Sequence, residues 1–123
     1  MTAPTPAGAA PPTPTALLVT TDADLHDDVH RLAAAAGLPV EVAADPGAAL
    51  RSWVPAAVVL VGADLAGVVA AAGPPARAGV HLVTRDGVRD ALFRDALLLG
   101  ARDVRALPEA EEWLVEMLTD AAD

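Results

Sequence analysis

Residues 56–67 read AAVVLVGADLAG, a short apolar run that ends in glycine and is followed two residues later by Asp64. A short valine-rich run bounded by turn residues is typical of a strand buried on both faces of a parallel sheet. Polar residues that follow such a strand lie at the edge of the sheet where open α/β folds bind ligands. The stretch therefore predicts a central strand over residues 57–62 and places Asp64 at a candidate site.

Strands and helices alternate on both sides of this stretch. Apolar or alternating runs predict strands over 16–20, 39–43, 57–62, 80–84 and 103–107. Helical spacing of apolar residues predicts helices over 25–36, 45–53, 64–72 and 86–99, and a last helix from residue 108 onward. Five strands alternating with five helices indicate a parallel sheet covered on both faces. We therefore expect an α/β fold of the flavodoxin/CheY-like (βα)5 type, with strand order 2-1-3-4-5.

Individual residues are suited to the ends and inner faces of these helices. Asp22 or Asp24 can cap the first helix, and Asp64 can cap the third. Pro108 is expected in the first turn of the last helix, where its missing N–H is not needed. Val88 is expected to face the core from the fourth helix, at helical spacing from Leu92, Ala96 and Leu99.

Composition excludes several classes of function. The chain of 123 residues has a net charge of −9, and it contains eight arginines, no lysine and no cysteine. Without a basic stripe, nucleic-acid binding is not expected, because phosphate neutralisation dominates that affinity. The nearly uncharged run over 56–76 does not predict a membrane span, since Asp64 and several Gly and Pro residues interrupt it.

The amino terminus has its own composition. Residues 1–15 are almost entirely Pro, Ala and Thr, which predicts a disordered arm, with a proline-rich docking ligand as the alternative. The segment has neither the basic nor the apolar region of a signal peptide, so we expect a cytoplasmic protein.

From residue 16 to residue 121 the chain resembles response-regulator receiver domains, the CheY-like family. The similar segments are LLVTTDADL at 17–25, HLVTRD at 81–86 and GARDVRALPE at 100–109. The resemblance implies phosphoryl transfer to an aspartate at the end of the third strand. It also implies two acids after the first strand that hold Mg²⁺, and a lysine before the final proline that stabilises the developing charge.

Most of that catalytic set is missing. Thr21 and Asp22 stand at the positions of the acidic pair, Gly62 (or Val61) stands at the acceptor position, and Leu107 replaces the lysine. The resemblance thus implies a degenerate receiver site that consists of Thr21, Asp22, Gly62, Asp64, Thr84, Leu107 and Pro108. We expect no enzyme activity, no cofactor and no metal. Two alternatives stay open: a phosphorylatable receiver that uses Asp64 with Mg²⁺, and a small-ligand binder at the same crevice.

A further resemblance concerns the whole domain. Together with PGAALRSW, VVLVGAD and HLVTRD, the opening segment looks like the N-terminal domain of a septum-site-determining protein of the CpaE/TadZ-like, MinD/ParA-type ATPases. This implies a regulatory domain of a protein that positions the division septum or the pilus machinery, with a P-loop ATPase domain after residue 123. Its implied partners are a second copy, its own ATPase domain, or proteins of that machinery, with no nucleic acid and no direct membrane insertion.

The receiver resemblance also implies pairing through the fourth helix, fifth strand and fifth helix. That face carries mixed charges, which suit a two-fold contact, although an ordinary solvated face would look the same. Its charged residues are Arg89, Arg94, Arg102 and Arg105 opposite Asp90, Asp95, Glu111 and Glu112.

The histidines give a weaker signal. His26 and His30 are four residues apart and could face one metal with Asp22 or Asp27, but the spacing is equally typical of exposed residues on a helix. His81 lies inside a predicted strand and is expected to be partly buried. The chain contains no dinucleotide fingerprint, phosphate loop or nucleophile elbow.

Overall fold

The computed structural model describes residues 13–123, so the predicted arm over 1–15 lies outside the described residues except for its last three. Five strands form one sheet in the order β2-β1-β3-β4-β5, and every neighbouring pair is parallel. The strands are β1 (Ala16–Val19), β2 (Val40–Ala43), β3 (Val58–Gly62), β4 (Val80–Thr84) and β5 (Asp103–Ala106). This confirms the predicted (βα)5 fold.

Helices cover both faces of the sheet. They are α1 (Ala23–Ala36), α2 (Pro46–Trp53), α3 (Ala66–Ala71), α4 (Asp90–Leu99) and α5 (Glu111–Ala122). Because the side chains of a strand alternate, Leu17 and Val19 of β1 pack with α2, α3 and α4, whereas Ala16 and Leu18 pack with α1 and α5. No helix in the described part of the chain is long and apolar enough to cross a membrane.

The predicted helix ends are confirmed at the positions where a side-chain cap or a left-handed glycine marks them. Asp22 caps α1, Asp45 caps α2 through the N–H of Ala48, and Gly100 ends α4 with φ of 70°. These residues act locally, which is why the sequence alone identifies them.

Two predicted helix starts are wrong. The helix expected from residue 86 begins at Asp90, because Gly87 has φ of 84° and a right-handed helix cannot pass through it. Val88 therefore lies before α4 and is 44% exposed instead of facing the core. Pro108 does not open α5 either. It follows a cis peptide bond in the turn after β5, where its carbonyl oxygen accepts a hydrogen bond from the N–H of Glu111.

The loop after α3 is fixed by Arg77. Its guanidinium donates hydrogen bonds to the carbonyl oxygens of five residues: Trp53, Val54, Ala56, Ala57 and Ala78. Burial lowers the pKa of Arg77, yet the guanidinium stays charged. The hydrogen bonds to these carbonyl oxygens therefore offset the cost of partly burying its charge. Arg77 thereby joins the end of α2 to the start of β3. The indole N–H of Trp53 donates to the carbonyl of Pro75 at 2.9 Å and fastens the same loop.

We expect Arg77→Lys to lower the free energy of unfolding by about 1–3 kcal/mol, because a single ammonium cannot reach carbonyls that diverge in this way. Urea denaturation at neutral pH measures the change. Arg51→Lys, at an exposed position on α2, is the matched control and should change stability by less than about 0.5 kcal/mol. Equal effects of the two substitutions would contradict the argument that the hydrogen bonds of Arg77 hold this loop in place.

Candidate functional site

The carboxyl ends of four strands bring the predicted site residues to one edge of the sheet. β1 runs on into Thr20, Thr21 and Asp22, β3 ends at Gly62, β4 ends at Thr84, and β5 runs on into Leu107 and Pro108. In the register of the sheet, Val19 pairs with Val61, and Gly62 pairs with Val83. This is the crevice where open parallel sheets bind ligands.

Asp64 points back across β3 toward β1. Its Oδ1 accepts a hydrogen bond from the hydroxyl of Thr20 at 2.7 Å. Its Oδ2 accepts from the backbone N–H of Thr21 at 2.8 Å and from the Thr21 hydroxyl at 2.9 Å. The predicted role of Asp64 as a helix cap is wrong, since α3 begins at Ala66 and its N-cap, Leu65, makes no side-chain cap bond.

The environment of Asp64 keeps its carboxylate charged. Partial burial raises the pKa of Asp64, but the hydrogen bonds from Thr20 and Thr21 outweigh that effect and hold the pKa below its ordinary 3.8. Both oxygens already accept hydrogen bonds. A carboxylate stabilised in this way is a weaker nucleophile than a free one.

No room is left for a side chain at Gly62. A Cβ there would lie 2.5 Å from Oδ1 of Asp64, 2.8 Å from Oγ1 of Thr20 and 3.0 Å from Cδ2 of Leu25. These separations are shorter than van der Waals contact, and the first two atoms are hydrogen-bonded to each other. The carboxylate of Asp64 thus occupies the space beside the strand end where a residue-62 side chain would start.

Asp22, the remaining acid of the predicted pair, caps the N-terminus of α1. Oδ1 of Asp22 accepts hydrogen bonds from the N–H groups of Asp24 at 2.9 Å and Leu25 at 3.3 Å. The N–H of Asp22 donates to the hydroxyl of Thr20 at 3.0 Å. Asp22 is therefore the N-cap of α1, and Thr21 contributes a hydroxyl instead of a second carboxylate.

On the other side of the crevice, Thr84 and Leu107 have separate structural roles. Thr84 is buried, and its Oγ1 accepts a hydrogen bond from the N–H of Asp86 at 3.1 Å. Leu107 is buried in the core beside Leu114 and Leu118 of α5, and its N–H donates to the carbonyl of Thr84 at 2.8 Å. The position where the resemblance implies a lysine is thus part of the hydrophobic core, and Pro108 after it is exposed.

Sequence reasoning placed Thr20 and Arg85 at the candidate edge of the sheet but assigned neither of them a role. Nε of Arg85 donates to Oδ2 of Asp28 at 2.8 Å, and its Nη1 lies 3.5 Å from Oδ2 of Asp24. The hydrogen bond with Asp28 raises the pKa of Arg85. The sequence did contain a signal for this pairing. Asp24 and Asp28 are four residues apart and so share one face of α1, and Arg85 directly follows a strand. Arg85 ties the loop after β4 to α1 and supplies a cation to this acidic side of the crevice.

The crevice itself is small. A cavity of about 90 Å³ lies among Asp22, Asp64, Thr84, Arg85 and Arg89. Ligand pockets usually have volumes of about 300–1,000 Å³. The cavity holds carboxylates and guanidinium groups together, so its charges are largely matched within the chain.

The histidines form no metal site in the part of the chain that the structure describes. The rings of His26 and His30 stack with centroids 4.2 Å apart, and residues 13–123 contain no group of three or more possible protein ligands around a metal position. His81 is buried, as expected for a strand residue, and its Nδ1 lies 2.8 Å from Oδ1 of Asp103.

Two residues of the predicted dimer face already have partners within the chain. The guanidinium of Arg105 lies 4.2 Å from the centre of the Trp113 ring, and Glu111 accepts a hydrogen bond from Arg31 of α1 at 2.8 Å. Of the other six named residues of that face, Asp95 is half-buried and five are exposed: Arg89, Asp90, Arg94, Arg102 and Glu112.

A protein-family model matches most of the chain. The model of the Rv3660c-like, CheY-like N-terminal domain family matches residues 19–123. We found no significant match among curated proteins.

Solved structures of response regulators share the fold. NtrX from Brucella abortus, solved in complex with ADP, superposes with a TM-score of 0.62 at 19% identity, over 88% of this chain and 26% of that one. This chain therefore spans about a quarter of NtrX. A receiver domain protein from Clostridium thermocellum gives 0.61 at 17% identity, over 89% and 94%. A response regulator from Burkholderia multivorans gives 0.57 at 26% identity, over 90% and 96%.

We expect the contribution of Asp64 to stability to depend on pH. Because its pKa is lowered in the folded chain, the stabilisation is fully present above the ordinary carboxyl pKa and is lost as the pH falls through the lower folded value. Asp64→Asn should lower the free energy of unfolding by about 1 kcal/mol near neutral pH, a value reduced for solvent exposure. The difference from wild type should shrink below about pH 4.

Denaturant titrations at a series of pH values measure this difference. Asp27→Asn, at an exposed carboxylate on α1, is the control and should show a small difference without the same loss in acid. A difference for Asp64→Asn that grows as the pH falls would contradict the argument.

We also expect Gly62 and Asp64 to be energetically coupled. Gly62→Ala should destabilise the wild-type chain by about 1–3 kcal/mol, because the new methyl group overlaps the Asp64 carboxylate. In an Asp64→Ala background the same substitution should cost less, and a double-mutant cycle of urea unfolding measures the coupling.

Gly67→Ala is the control for this cycle. Gly67 lies in α3, and an added Cβ would meet only the Asp95 carboxylate, at 3.8 Å and 4.0 Å. The substitution should stabilise the chain by up to about 1 kcal/mol through helix propensity. Additive effects of Gly62→Ala and Asp64→Ala would show that the carboxylate does not fill the space beside residue 62.

Proposed function

The chain belongs to the Rv3660c-like, CheY-like N-terminal domain family, and we propose that it is a pseudo-receiver, a protein-interaction domain without phosphorylation chemistry. One observation carries the proposal. The carboxylate of Asp64, bound by Thr20 and Thr21, fills the space beside Gly62 in which the resemblance places a phosphoacceptor.

The other requirements of phosphoryl transfer support the same conclusion. Transfer to a carboxylate needs Mg²⁺ held by oxygen ligands and a cation on the developing charge. Here Asp22 caps a helix, Thr21 stands at the first position of the acidic pair, and Leu107 is a core residue in the lysine position. Arg85, a cation beside the crevice, is paired with Asp24 and Asp28. We therefore expect no catalysis by the domain.

We further propose that the domain is the regulatory part of a MinD/CpaE-like ATPase that acts in the cytoplasm on septum or pilus positioning. Support comes from the resemblance of its opening, third-strand and fourth-strand segments, and from the N-terminal position named in the family description. Its partners would be a second copy, the ATPase domain, or proteins of that machinery. The coding sequence beyond residue 123 tests this linkage, and we expect a GK[ST] phosphate loop there.

A phosphorylatable receiver is the second candidate. The observation that favours it is the position of the Asp64 carboxylate, which lies at the carboxyl end of β3 and lines a cavity with Asp22 and Thr84. Under that hypothesis, Asp64 would exchange its bonds to Thr20 and Thr21 for Mg²⁺ and phosphate. The small-ligand alternative has less support, because the cavity measures only about 90 Å³.

Beryllofluoride with Mg²⁺ separates these candidates. We expect the backbone NMR signals of Asp22, Asp64 and Thr84 to stay unchanged at millimolar Mg²⁺, because the carboxylate is already satisfied and no acid pair is free. Asp64→Asn is the matched control. Shifts that appear in the wild type and vanish in Asp64→Asn would overturn the pseudo-receiver proposal in favour of the second candidate.

A further inference from the structure

A cavity separate from the crevice lies between α5 and the first residues of β4 and β5. Its volume is about 470 Å³, within the range of about 300–1,000 Å³ that is usual for ligand pockets. Gly79 and Arg102 line it just before β4 and β5 begin, whereas Asp64 follows the end of β3. The strands are parallel, so this cavity and the crevice lie at opposite ends of the sheet. Its polar and aromatic lining includes His81, Arg102, Arg105, Trp113, Glu116 and Asp120.

The wall formed by β4 contains a buried histidine with one free ring nitrogen. His81 is only 4% exposed, and its Nδ1 lies 2.8 Å from Oδ1 of Asp103. A carboxylate can only accept a hydrogen bond, so in a neutral ring Nδ1 carries the proton and Nε2 is an acceptor. No group within residues 13–123 donates a hydrogen bond to Nε2. A donor for this nitrogen therefore has to come from the cavity.

The wall formed by β5 contains a donor that also lacks a partner. The guanidinium of Arg105 lies over the Trp113 ring, 4.2 Å from its centre. Nε of Arg105 is buried and makes no hydrogen bond in the described part of the chain, since Oδ2 of Asp103 is 3.5 Å away. One unpaired acceptor and one unpaired donor thus lie on the same face of the sheet. A molecule that satisfies both must carry donors as well as acceptors.

The charges around the cavity do not balance. Two guanidinium groups, those of Arg102 and Arg105, are accompanied by three carboxylates, those of Asp103, Glu116 and Asp120. With histidine counted as neutral, one net negative charge remains. Glu116 and Asp120 are four residues apart on α5, so both carboxylates lie on one face of the helix, at the exposed rim of the cavity. A matching ligand has one net positive charge, and a carboxylate of its own for the arginines.

We propose that this cavity binds a free basic amino acid of the arginine type. Its α-carboxylate would pair with Arg102 and accept a hydrogen bond from Nε of Arg105. Its α-ammonium group would donate to Nε2 of His81, and its side-chain cation would lie beside Glu116 and Asp120. The proposal goes beyond the pseudo-receiver function, because it gives the domain a small-molecule input away from the crevice. We expect a dissociation constant of roughly 0.1–1 mM, since such a ligand has only about twelve non-hydrogen atoms.

Three probes of similar size show which groups of the ligand are recognised. They are L-arginine, agmatine, which lacks the carboxylate, and L-citrulline, which has a neutral group in place of the guanidinium. The indole N–H signal of Trp113 in proton–nitrogen NMR spectra reports binding. The indole N–H signal of Trp53 is the internal control, because that side chain is buried and its N–H donates to the carbonyl of Pro75.

L-Arginine should shift the Trp113 signal to saturation and leave the Trp53 signal in place. Agmatine and L-citrulline should each bind about tenfold more weakly, because each lacks one of the two charges that the cavity pairs. Absence of a saturable shift with L-arginine at about 10 mM overturns the proposal. Binding of agmatine or L-citrulline as tight as that of L-arginine overturns it as well.

Substitutions at the exposed rim assign the contacts. Arg102→Gln should weaken binding of L-arginine about tenfold and leave agmatine unchanged, because agmatine has no carboxylate for Arg102. Asp120→Asn should weaken L-arginine and agmatine and leave L-citrulline unchanged. Glu112→Gln, at an exposed position of α5 outside the cavity, is the matched control and should leave all three probes unchanged. Rim variants that bind every probe as the wild type does overturn the proposal.

The buried acceptor is tested by His81→Phe, which keeps an aromatic ring and removes both nitrogens. This variant should bind L-arginine about tenfold more weakly, and circular dichroism confirms that it folds. Wild-type affinity in the folded variant would overturn the role of His81, and the rim variants decide the proposal if it does not fold. None of these outcomes alters the beryllofluoride result, which concerns the crevice at the other end of the sheet.

Discussion

The hydrogen bonds that Asp64 receives from Thr20 and Thr21 couple β1 to β3 at the point where a parallel sheet of this order opens toward a ligand. Other features of the crevice depend on where that carboxylate lies. It leaves Gly62 as the one residue type that fits at the strand end, and the Thr20 hydroxyl it binds also receives the N–H of Asp22. That placement of Asp22 in turn directs its side chain to the cap of α1. One carboxylate thus sets the conformation of two loops.

Leucine at position 107 is consistent with this arrangement. The carboxylates of Asp22 and Asp64 are bound by hydroxyl and backbone N–H groups, and Arg85 pairs with Asp24 and Asp28, so none of these groups depends on a cation at position 107. Position 107 is then free to serve the core, and Leu107 packs against Leu114 and Leu118. Burying an aliphatic side chain of this size stabilises a fold by about 1.5–3 kcal/mol, whereas a lysine there would have to keep its ammonium in solvent or find a partner.

The fold was predictable because it is specified by local patterns. The strands of this sheet are short apolar runs, and Asp45 and Gly100 act on adjacent residues. The alternation of strands and helices favours a parallel sheet with the strand order found here. The role of Asp64 was not predictable, because its donors lie more than forty residues away and a helix cap fits the same sequence. Gly87 shows the same limit on prediction from sequence. Its left-handed conformation shortens α4, but the sequence does not distinguish such a glycine from one inside a helix.

The crevice and α4 differ in whether their side chains have partners within the chain. At the crevice, Asp22, Asp64 and Arg85 have partners within the chain, so a ligand that binds these groups would first have to displace those partners. On α4, the apolar side chains of Phe93, Leu97 and Leu98 remain in water, and covering them requires nothing to be broken. The hydrophobic effect therefore favours covering this face of α4, whereas a ligand at the crevice would first have to displace existing hydrogen bonds and ion pairs.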